Sequence, residues 1–463
     1  MNMRLELRKF ARDSGYNFIR QGWTIVLGIL ISILITRGLG RDNRGMYDMS
    51  IFLGSILSTF LNLGIGPATV YLVGRKSDDF SDIVRTNFAL ATWLSLGAVL
   101  IGLALVLGFG NTLFPGIPTS LLLISLFTVP LSFHQTFLLN TFQGLQDFRT
   151  YNLIQMSPQI VVAGMLVLLV WVLPGGVAGA LAAYISGLIT STGLSFWIIR
   201  KRITPKGMVS LRLGRKHERA LINYGIRAHV GNILAFFNYR ADVFILNILA
   251  GSVPVGLYSV AVGLAERLWL LPNAISTVLL PRIASLDGDE SQRKVLTPMM
   301  SRYVFWASIL TAIPAWFFAE LVIVLLYSKD FTESAWALRA LLPGTIFISV
   351  TKLLANDIAG RGFPGINSFQ SFLSFILNVL INLFLIPRWG VVGVSLASTI
   401  SYTFLGILKI ITYHRITGVP ASDLLILKRS DLSRLIRVIQ IGKNRLWRMR
   451  HPDEAEPNSS RIQ

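Results

Sequence analysis

The sequence predicts an all-α polytopic membrane protein, and three observations lead to this fold class. Of the 463 residues, 53% are hydrophobic and 14% are charged, whereas about 25% of a typical soluble domain is charged. Apolar runs of the roughly 20 residues that cross a bilayer recur from end to end. Short motifs also repeat within the chain. We therefore expect about twelve transmembrane helices in two six-helix lobes, related by an internal parallel repeat around a central cavity.

Polar residues, glycines and prolines divide the apolar runs into predicted spans. The first six are Tyr16–Thr36, Met46–Val73, Asn87–Phe109, Thr119–Phe142, Asn152–Leu173 and Gly176–Ile199. The last six are Asn223–Leu249, Val255–Leu280, Arg302–Leu326, Trp336–Ile358, Ile366–Ile386 and Val391–Tyr413.

This division predicts four regions of the chain. They are an N-lobe (1–199), a basic cytoplasmic linker (200–222), a C-lobe (223–413) and a basic tail (414–463). In the tail, residues 421–450 place apolar and basic side chains on opposite sides of a predicted amphipathic helix on the membrane surface. A partly disordered tail is the alternative, and disorder is expected after Pro452.

The distribution of Lys and Arg predicts the orientation of the chain. With the N-terminus inside, 32 of the 43 Lys and Arg residues lie in cytoplasmic segments and five in outer loops. Positive residues favour the cytoplasmic side, so both termini are predicted to be cytoplasmic. The net charge of +20 then reflects topology and attraction to anionic lipid, and nucleic-acid binding is not expected. The first span is too long for the apolar region of a signal peptide and is predicted to be retained.

The residue types exclude several kinds of catalytic chemistry. The chain has no cysteine and five scattered histidines, so disulfides, thiolate metal sites and a cysteine nucleophile are excluded, and no metal site is expected. A P-loop, a His-Glu-x-x-His pair and a Gly-x-Ser-x-Gly elbow are all absent from the sequence. We predict a transporter that needs no cofactor and is coupled to H⁺, Na⁺ or the membrane potential.

Three pairs of short motifs indicate the internal repeat. Gly45-x-Tyr47 corresponds to Gly256-x-Tyr258, 211 residues later. Asn140-x-x-x-Gly144 corresponds to Asn356-x-x-x-Gly360 at an offset of 216, and Gly176-x-x-Gly179 to Gly390-x-x-Gly393 at an offset of 214. Because six helices is an even number, both halves start on the same face of the membrane. In such parallel repeats the substrate site is expected between the halves.

These elements resemble the oligosaccharide flippase (polysaccharide transporter) family of the multidrug/oligosaccharidyl-lipid/polysaccharide exporter superfamily. The similarity is carried by Leu39-Gly40-x-x-x-x-Gly45-x-Tyr47, by Asp242 followed by Gly256-x-Tyr258, and by Leu271-Pro272-Asn273-Ala274-Ile275 with Leu280-Pro281-Arg282. It covers about residues 15–413. The resemblance implies a cavity lined by spans one, two, seven and eight, and movement of undecaprenyl-diphosphate-linked oligosaccharides from the inner to the outer leaflet.

Polar residues inside the spans supply the candidate binding site. At about 100° per residue they fall on one face of each of several spans, which would give a hydrated, electropositive cavity. The candidates for substrate binding are Asn17, Arg20, Gln21, Arg227, Asn238, Asn273 and Lys352. Among them, Arg20, Arg227 and Lys352 are expected to contact the lipid diphosphate, because arginine binds phosphate in a bidentate manner and lysine acts as a point charge. The alternative is that such polar residues only hold helices together.

Two carboxylates are candidates for ion coupling. Asp242 and Glu266 lie at comparable depth in a predicted helical hairpin, and either could bind a proton or Na⁺; a structural role is the alternative for Asp242. Arg267 is a candidate to neutralise Glu266.

For the other charged residues the sequence predicts only a location. Asp357 and Lys409 are expected to extend towards the membrane surface. Arg37, Arg41 and Arg44 would either hold exported sugar or phosphate at the outer mouth or belong to a solvated loop.

The sequence leaves three functional hypotheses. The first is a flippase of the bacterial cytoplasmic membrane that moves lipid-linked oligosaccharides by alternating access for cell-surface polysaccharide biosynthesis, as a monomer, with anionic lipids and other polysaccharide-assembly proteins as partners. The second is an ion-coupled multidrug antiporter of the same superfamily, for which an acidic and aromatic cavity is expected. The third is a polysaccharide polymerase or ligase, for which a large outer loop is expected.

Overall fold

The computed structural model describes residues 3–75, 80–202, 215–268, 290–428 and 431. Side chains are described from Arg20 onwards, except at positions 202, 215–217, 227, 228, 230 and 235. The regular secondary structure of these residues consists of helices and helical turns, with no strand among them, which confirms the predicted all-α class.

The helices cover the described parts of the predicted spans, but several of their ends differ from the predicted bounds. In the first half they are α1 (Met3–Leu61), α2 (Ile65–Gly74), α3 (Phe80–Leu113), α4 (Thr119–Leu126), α5 (Thr128–Gly144), α6 (Phe148–Leu166) and α7 (Gly176–Arg202). In the second half they are α8 (Arg215–Ala250), α9 (Ser252–Arg267), α10 (Glu290–Phe317), α11 (Ala319–Leu326), α12 (Glu333–Gly360), α13 (Pro364–Thr417) and α14 (Ala421–Leu425). A π-helical turn, Val167–Val172, extends α6, and a 3₁₀ turn, Lys329–Phe331, precedes α12.

The chain is a multi-pass membrane protein. Within the described residues, seven helical segments are long and apolar enough to cross a membrane, and α10 with α11, bent by 69° between them, would make an eighth. The helices α1 and α13 are each counted once although each is kinked, and part of predicted span eight lies outside the described residues. The total of about twelve crossings stays a prediction.

The internal repeat is visible in the backbone as pairs of residues with positive φ. Gly40 (φ 71°, ψ −180°) kinks α1, and Gly251 (φ 84°, ψ −176°), 211 residues later, separates α8 from α9 with nearly the same conformation. The other pairs are Gly116 with Ser328, Gln146 with Gly362, and Gly176 with Gly390, at offsets of 212, 216 and 214. The other described residues with positive φ are Leu63, Gly64 and Gly418. At the offset of the nearest pair, the counterpart of each lies outside the described residues.

The repeat is also visible in a reciprocal contact between the halves. We call the part of α1 after the Gly40 kink its second limb (41–61); it packs against α9. A Cβ atom on Gly45 would overlap the Ser252 carbonyl, and one on Gly256 would lie 3.2 Å from the Arg41 carbonyl oxygen. Position 45 corresponds to 256 and position 41 to 252, both at an offset of 211. Such an exchange of equivalent contacts is the property of a two-fold axis, so the two glycines lie beside the pseudo-symmetry axis of the repeat.

Two compact units can be distinguished in the chain. The first consists of Met1–Leu268, Ala312–Thr345 and Ser368–Phe404, and the second of Trp269–Thr311, Ile346–Asn367 and Leu405–Gln463. The first unit contains the axial glycines and the cavities described below. The lobe boundaries predicted from the sequence stay a prediction.

The second unit buries charges that the sequence analysis assigned to the membrane surface. Asp357 and Lys409 are 0% and 1% exposed, so the expectation that they extend to the interface is wrong. Asp357 Oδ1 lies 3.1 Å from Arg361 Nε, and Lys409 Nζ donates to Asn367 Oδ1 at 2.5 Å. These partners hold both side chains in the interior.

The start of the tail is fixed to α10 within the second unit. Arg302 forms a bidentate ion pair with Asp431, at 2.5 and 2.9 Å, and donates to the Asp423 carbonyl. Leu424 of α14 is fully buried. The rest of the predicted amphipathic helix, the expected disorder after Pro452 and most of the linker (203–214) lie outside the described residues.

Candidate functional site

A cavity of about 330 Å³ lies between the second limb of α1, α8 and α9. We call it the axial cavity, because its walls are the helices next to the axial glycines. These walls belong to predicted spans two, seven and eight. They are formed by Arg44, Asp48, Ile51, Phe52, Ser55, Phe236, Arg240, Val243, Ser259, Val262, Gly263 and Glu266. The described wall thus carries two arginines and two carboxylates, so it is balanced in charge and differs from the predicted excess of cations.

The first ion pair of the axial cavity is held rigidly by its own helix. Arg44 Nε lies 2.9 Å from Asp48 Oδ2, one helical turn away. Arg44 Nη1 also donates to Thr36 Oγ1 at 3.2 Å, and the arginine is only 9% exposed. A guanidinium with several fixed partners has little freedom to bind anything else.

The neighbouring arginines at this end are also engaged by protein groups. Arg37 donates to the carbonyl oxygens of Leu326 and Leu325 at 2.8 and 2.5 Å, where a cation stabilises the C-terminal end of α11. Arg41 lies 3.1 Å from Glu333. The three arginines of this cluster therefore contact protein acceptors. They lie on α1 and not in a loop, and Arg37 and Arg41 keep substantial exposure.

The second ion pair of the axial cavity joins two helices and is looser. Arg240 Nη2 lies 3.5 Å from Glu266 Oε1, and the side chains are 45% and 29% exposed. Arg267, which was expected to neutralise Glu266, instead donates to the carbonyl oxygens of Gly263 and Gly28, at 2.5 and 3.2 Å. Arg240 is therefore the partner of Glu266.

Asp242 lies behind the cavity wall in a site of its own. It is 4% exposed, and its Oδ2 accepts hydrogen bonds from the Tyr258 hydroxyl and from Ser398 Oγ, the latter at 3.1 Å. Its Oδ1 accepts from the Val243 amide at 2.8 Å. Asp242 and Glu266 are thus separated: the first is enclosed by protein donors, and the second faces the cavity.

Arg20 lines a different pocket, of about 460 Å³, between α1, α5 and α6. Its Nη1 donates to Gln155 Oε1 at 2.7 Å, and Gln155 donates to the Tyr151 hydroxyl at 3.0 Å. Arg20 Nε and Gln159 Oε1 are buried and have no hydrogen-bond partner among the described residues. The pocket is rich in amide and hydroxyl groups, which suits a polar ligand.

The other predicted site residues are dispersed in the part of the chain that the structure describes. Gln21 is half-buried on α1, and Asn238 is 7% exposed on α8; neither belongs to the described wall of the two pockets. Lys352 is half-buried on α12, in the second unit. The side chains of Asn17 and Arg227, and the whole of Asn273, lie outside the described residues. Among the predicted site residues whose side chains are described, Glu266 is the one that lines the axial cavity.

Sequence reasoning did not place three charged residues in the axial cavity. Arg44 was considered only at the outer mouth and Asp48 was not considered, although their spacing of four residues is typical of a helical ion pair. Arg240 was not among the predicted site residues. Its spacing from Phe236 and Val243, four and three residues, places the three on one helix face and would have indicated a shared wall.

Comparison with protein families identifies relatives of this chain. The model of the family described as polysaccharide biosynthesis protein matches residues 10–287. A "probable low-salt glycan biosynthesis flippase Agl15" of Haloferax volcanii is 25% identical over 191 residues, which is 40% of this chain and 40% of the relative. The "probable flippase AglR" of the same organism is 25% identical over 422 residues, 87% of this chain and 83% of the relative.

Solved structures share the fold over most of the chain. The "lipid II flippase MurJ, inward closed conformation" superposes with a TM-score of 0.73 at 15% identity, covering 96% of this chain and 100% of that one. An inward-facing "multidrug resistance MATE family transporter of the MOP superfamily" gives a TM-score of 0.72 at 14% identity, covering 86% and 94%. The fold is therefore common to lipid flippases and drug transporters, and the fold alone does not choose between them.

Proposed function

The chain belongs to the polysaccharide biosynthesis protein family, and on this premise we propose that it is a flippase for lipid-linked oligosaccharides. It moves undecaprenyl-diphosphate-linked repeat units from the inner to the outer leaflet of the bacterial cytoplasmic membrane, for cell-surface polysaccharide biosynthesis. It requires no cofactor, and the transport is coupled to H⁺, Na⁺ or the membrane potential.

The observation that carries this proposal is the polar axial cavity beside the symmetry axis of a membrane-spanning repeat. Charged groups inside a membrane are costly and are found where they face water or a ligand. Here two arginines and two carboxylates face one space of about 330 Å³. Such a space suits the charged and sugar-bearing headgroup, while the lipid tail stays in the bilayer.

Alternating access explains how one cavity serves both leaflets. Gly45 and Gly256 are in contact at the predicted outer end of the cavity, and rocking of the halves about the axis would open this contact. Arg20, Arg227 and Lys352 contact the diphosphate at successive stages, and Asn17, Gln21, Asn238 and Asn273 bind the sugars. Glu266 or Asp242 carries the coupling ion. With both termini cytoplasmic, a monomer suffices, and anionic lipids and other assembly proteins are its partners.

Reconstitution of the purified protein tests this function directly. Proteoliposomes would contain a fluorescent undecaprenyl-diphosphate oligosaccharide, and the amount that becomes accessible to an added glycosidase would be measured over time. We expect accessibility to rise beyond that of protein-free vesicles when an ion gradient or potential is applied. Identical curves with and without protein, under every gradient, would refute the flippase function.

A multidrug antiporter is the second candidate, because Phe52 and Phe236, with ring centroids 6.0 Å apart, share the cavity wall with Asp48 and Glu266. Aromatic and acidic side chains suit a lipophilic cation. Export of a cationic dye by the same vesicles, with no movement of the glycolipid, would favour this function. A polymerase or ligase is less compatible with the structure, since the predicted outer connections are short, the longest being residues 327–332.

A further inference from the structure

The axial cavity contains one arginine that is free to exchange its partner. Arg240 Nη2 and Glu266 Oε1 are 3.5 Å apart, which is longer than the 2.7–2.9 Å of a charge-assisted hydrogen bond. Neither side chain forms a second hydrogen bond or ion pair among the described residues. Both side chains are also substantially exposed to the cavity, so a ligand can reach them.

Arg44, on the opposite wall, provides the contrast. It is buried and bound by both Asp48 and Thr36. A ligand would have to break two short contacts to reach this guanidinium, whereas one loose contact holds Arg240. Of the two arginines in the described part of the cavity wall, Arg240 is therefore the one that a ligand can engage.

We propose that Arg240 and Glu266 form an exchange site that couples an anionic headgroup to a cation. A phosphate or diphosphate group replaces Glu266 on Arg240, and the released carboxylate binds a proton or Na⁺ taken from solution. This inference rests on the proposed function, because the anion is the diphosphate of the lipid-linked substrate.

The chemistry of the two groups makes the exchange selective. A guanidinium presents donors that match two phosphate oxygens at once, and this arrangement cannot be kept while Glu266 occupies the same donors. The released carboxylate would then face a second negative charge in a confined space. Neutralising it with a cation removes this repulsion, so binding of the anion favours binding of the cation, and the reverse follows from linkage.

The surrounding ionisable groups leave Glu266 as the group that responds to cations. Glu266 interacts electrostatically with Tyr239 and Tyr402. Arg240 interacts in the same way with Asp242, Tyr258 and Tyr402. The tyrosines carry no charge near neutral pH. Asp242 already accepts three hydrogen bonds from protein donors, and Asp48 stays paired with Arg44.

The exchange can be measured by calorimetry on the full chain in lipid nanodiscs, with farnesyl diphosphate as the probe and empty nanodiscs as the blank. For the wild type we expect the affinity to rise when pH falls or Na⁺ is added. Glu266→Gln should bind the probe about two- to fivefold more tightly, because an exposed ion pair of up to about 1 kcal/mol no longer competes. The same variant should lose most of the cation dependence, retaining only that of the probe's own titration.

Two further variants make the test specific. Arg240→Gln should bind the probe at least about tenfold more weakly, because charge-assisted hydrogen bonds are lost, and Arg240→Lys should recover part of this loss. Glu320→Gln is the matched control: its carboxylate lies 3.9 Å from Arg339 and outside the axial cavity. It should behave like the wild type.

The possible outcomes separate the exchange from the function on which it rests. Weaker probe binding by Glu266→Gln, or an unchanged cation dependence, overturns the exchange while the flippase function stands. An Arg240→Gln variant that is folded and binds the probe normally also overturns it. A wild-type protein that binds no diphosphate probe contradicts the proposed function itself.

Discussion

Gly45 and Gly256, equivalent positions of the internal repeat, pack against each other so closely that a Cβ atom on Gly256 would lie 2.9 Å from the Gly45 amide nitrogen. The second limb of α1 meets α9 at this point. A contact between two backbones leaves no space for a side chain. We therefore expect the outer end of the axial cavity to close through these glycines.

Substituting Gly45 with alanine should weaken this closure. Overpacking typically costs about 1–3 kcal/mol, and here the cost falls on the closed state. The native chain has no cysteine, so Ser259→Cys in the cavity wall can be labelled alone by an impermeant maleimide added outside. We expect labelling at least about fivefold faster in the Gly45→Ala background. Gly97→Ala is the control, since nothing lies within 4 Å of a Cβ atom at Gly97; equal rates in both backgrounds would contradict the role of Gly45 in closure.

Breaking the Arg302–Asp431 ion pair should strongly destabilise the second unit. The two side chains are 6% and 2% exposed, and removing one partner of a buried pair costs about 3–5 kcal/mol. We therefore expect Asp431→Asn to lower the Tm in detergent by several degrees. Lys428→Ala, which removes the more exposed pair with Asp423, should cost less than about 1 kcal/mol. Similar losses in the two variants would show that the tail is not held by Arg302.

Ser328→Gly should stabilise the protein. Ser328 has φ 138° and ψ 172°, a conformation that costs a residue with a side chain about 1–3 kcal/mol. Its repeat counterpart, Gly116, has φ 77° without that cost. We expect Ser328→Gly to raise the free energy of unfolding by about 1 kcal/mol and Gly116→Ser to lower it. Thermal unfolding would show both shifts. A destabilised Ser328→Gly variant would show that the backbone at Ser328 is not strained.

Asp242 and Glu266 should respond differently to neutralisation. Asp242→Asn replaces one of the two accepting oxygens by an NH2 donor, so the side chain can no longer accept from Tyr258, Ser398 and the Val243 amide together. We therefore expect lower stability and less protein in the membrane, with the cation dependence of transport retained. Glu266→Gln should keep its stability and lose the cation dependence. Flux per protein, measured with and without a cation gradient, distinguishes them. If only Asp242→Asn lost the cation dependence of flux, Asp242 and not Glu266 would be the coupling residue.

Arg227→Ala or Lys352→Ala should abolish surface polysaccharide without lowering the amount of protein in the membrane. The reason is the loss of a cation that contacts the lipid diphosphate. Immunoblots of membranes and staining of the polysaccharide measure the two quantities in the same cells. Normal polysaccharide in both variants would remove these residues from the substrate site.

Much of the fold is predictable because apolar length and glycine position are properties of the local sequence. The repeat, for example, is readable from Gly45 and Gly256. The breaks at Phe127 and at Phe318 are not, since apolar residues stand on both sides and hydropathy shows no interruption. The candidate site is harder to predict than the fold. Ser398 reaches Asp242 across 156 residues of sequence, and only tertiary packing shows that Arg20 belongs to another pocket than Glu266.

The reciprocal contact at the pseudo-symmetry axis has a consequence for the origin of the chain. A polypeptide of half this length could associate with a second copy through the same glycines and enclose the same space, but its two walls would carry identical charges. Once a duplicated gene joined the copies, each wall became free to change on its own. The firmly held Arg44 and the loosely held Arg240 are the kind of inequality that only the fused protein can encode.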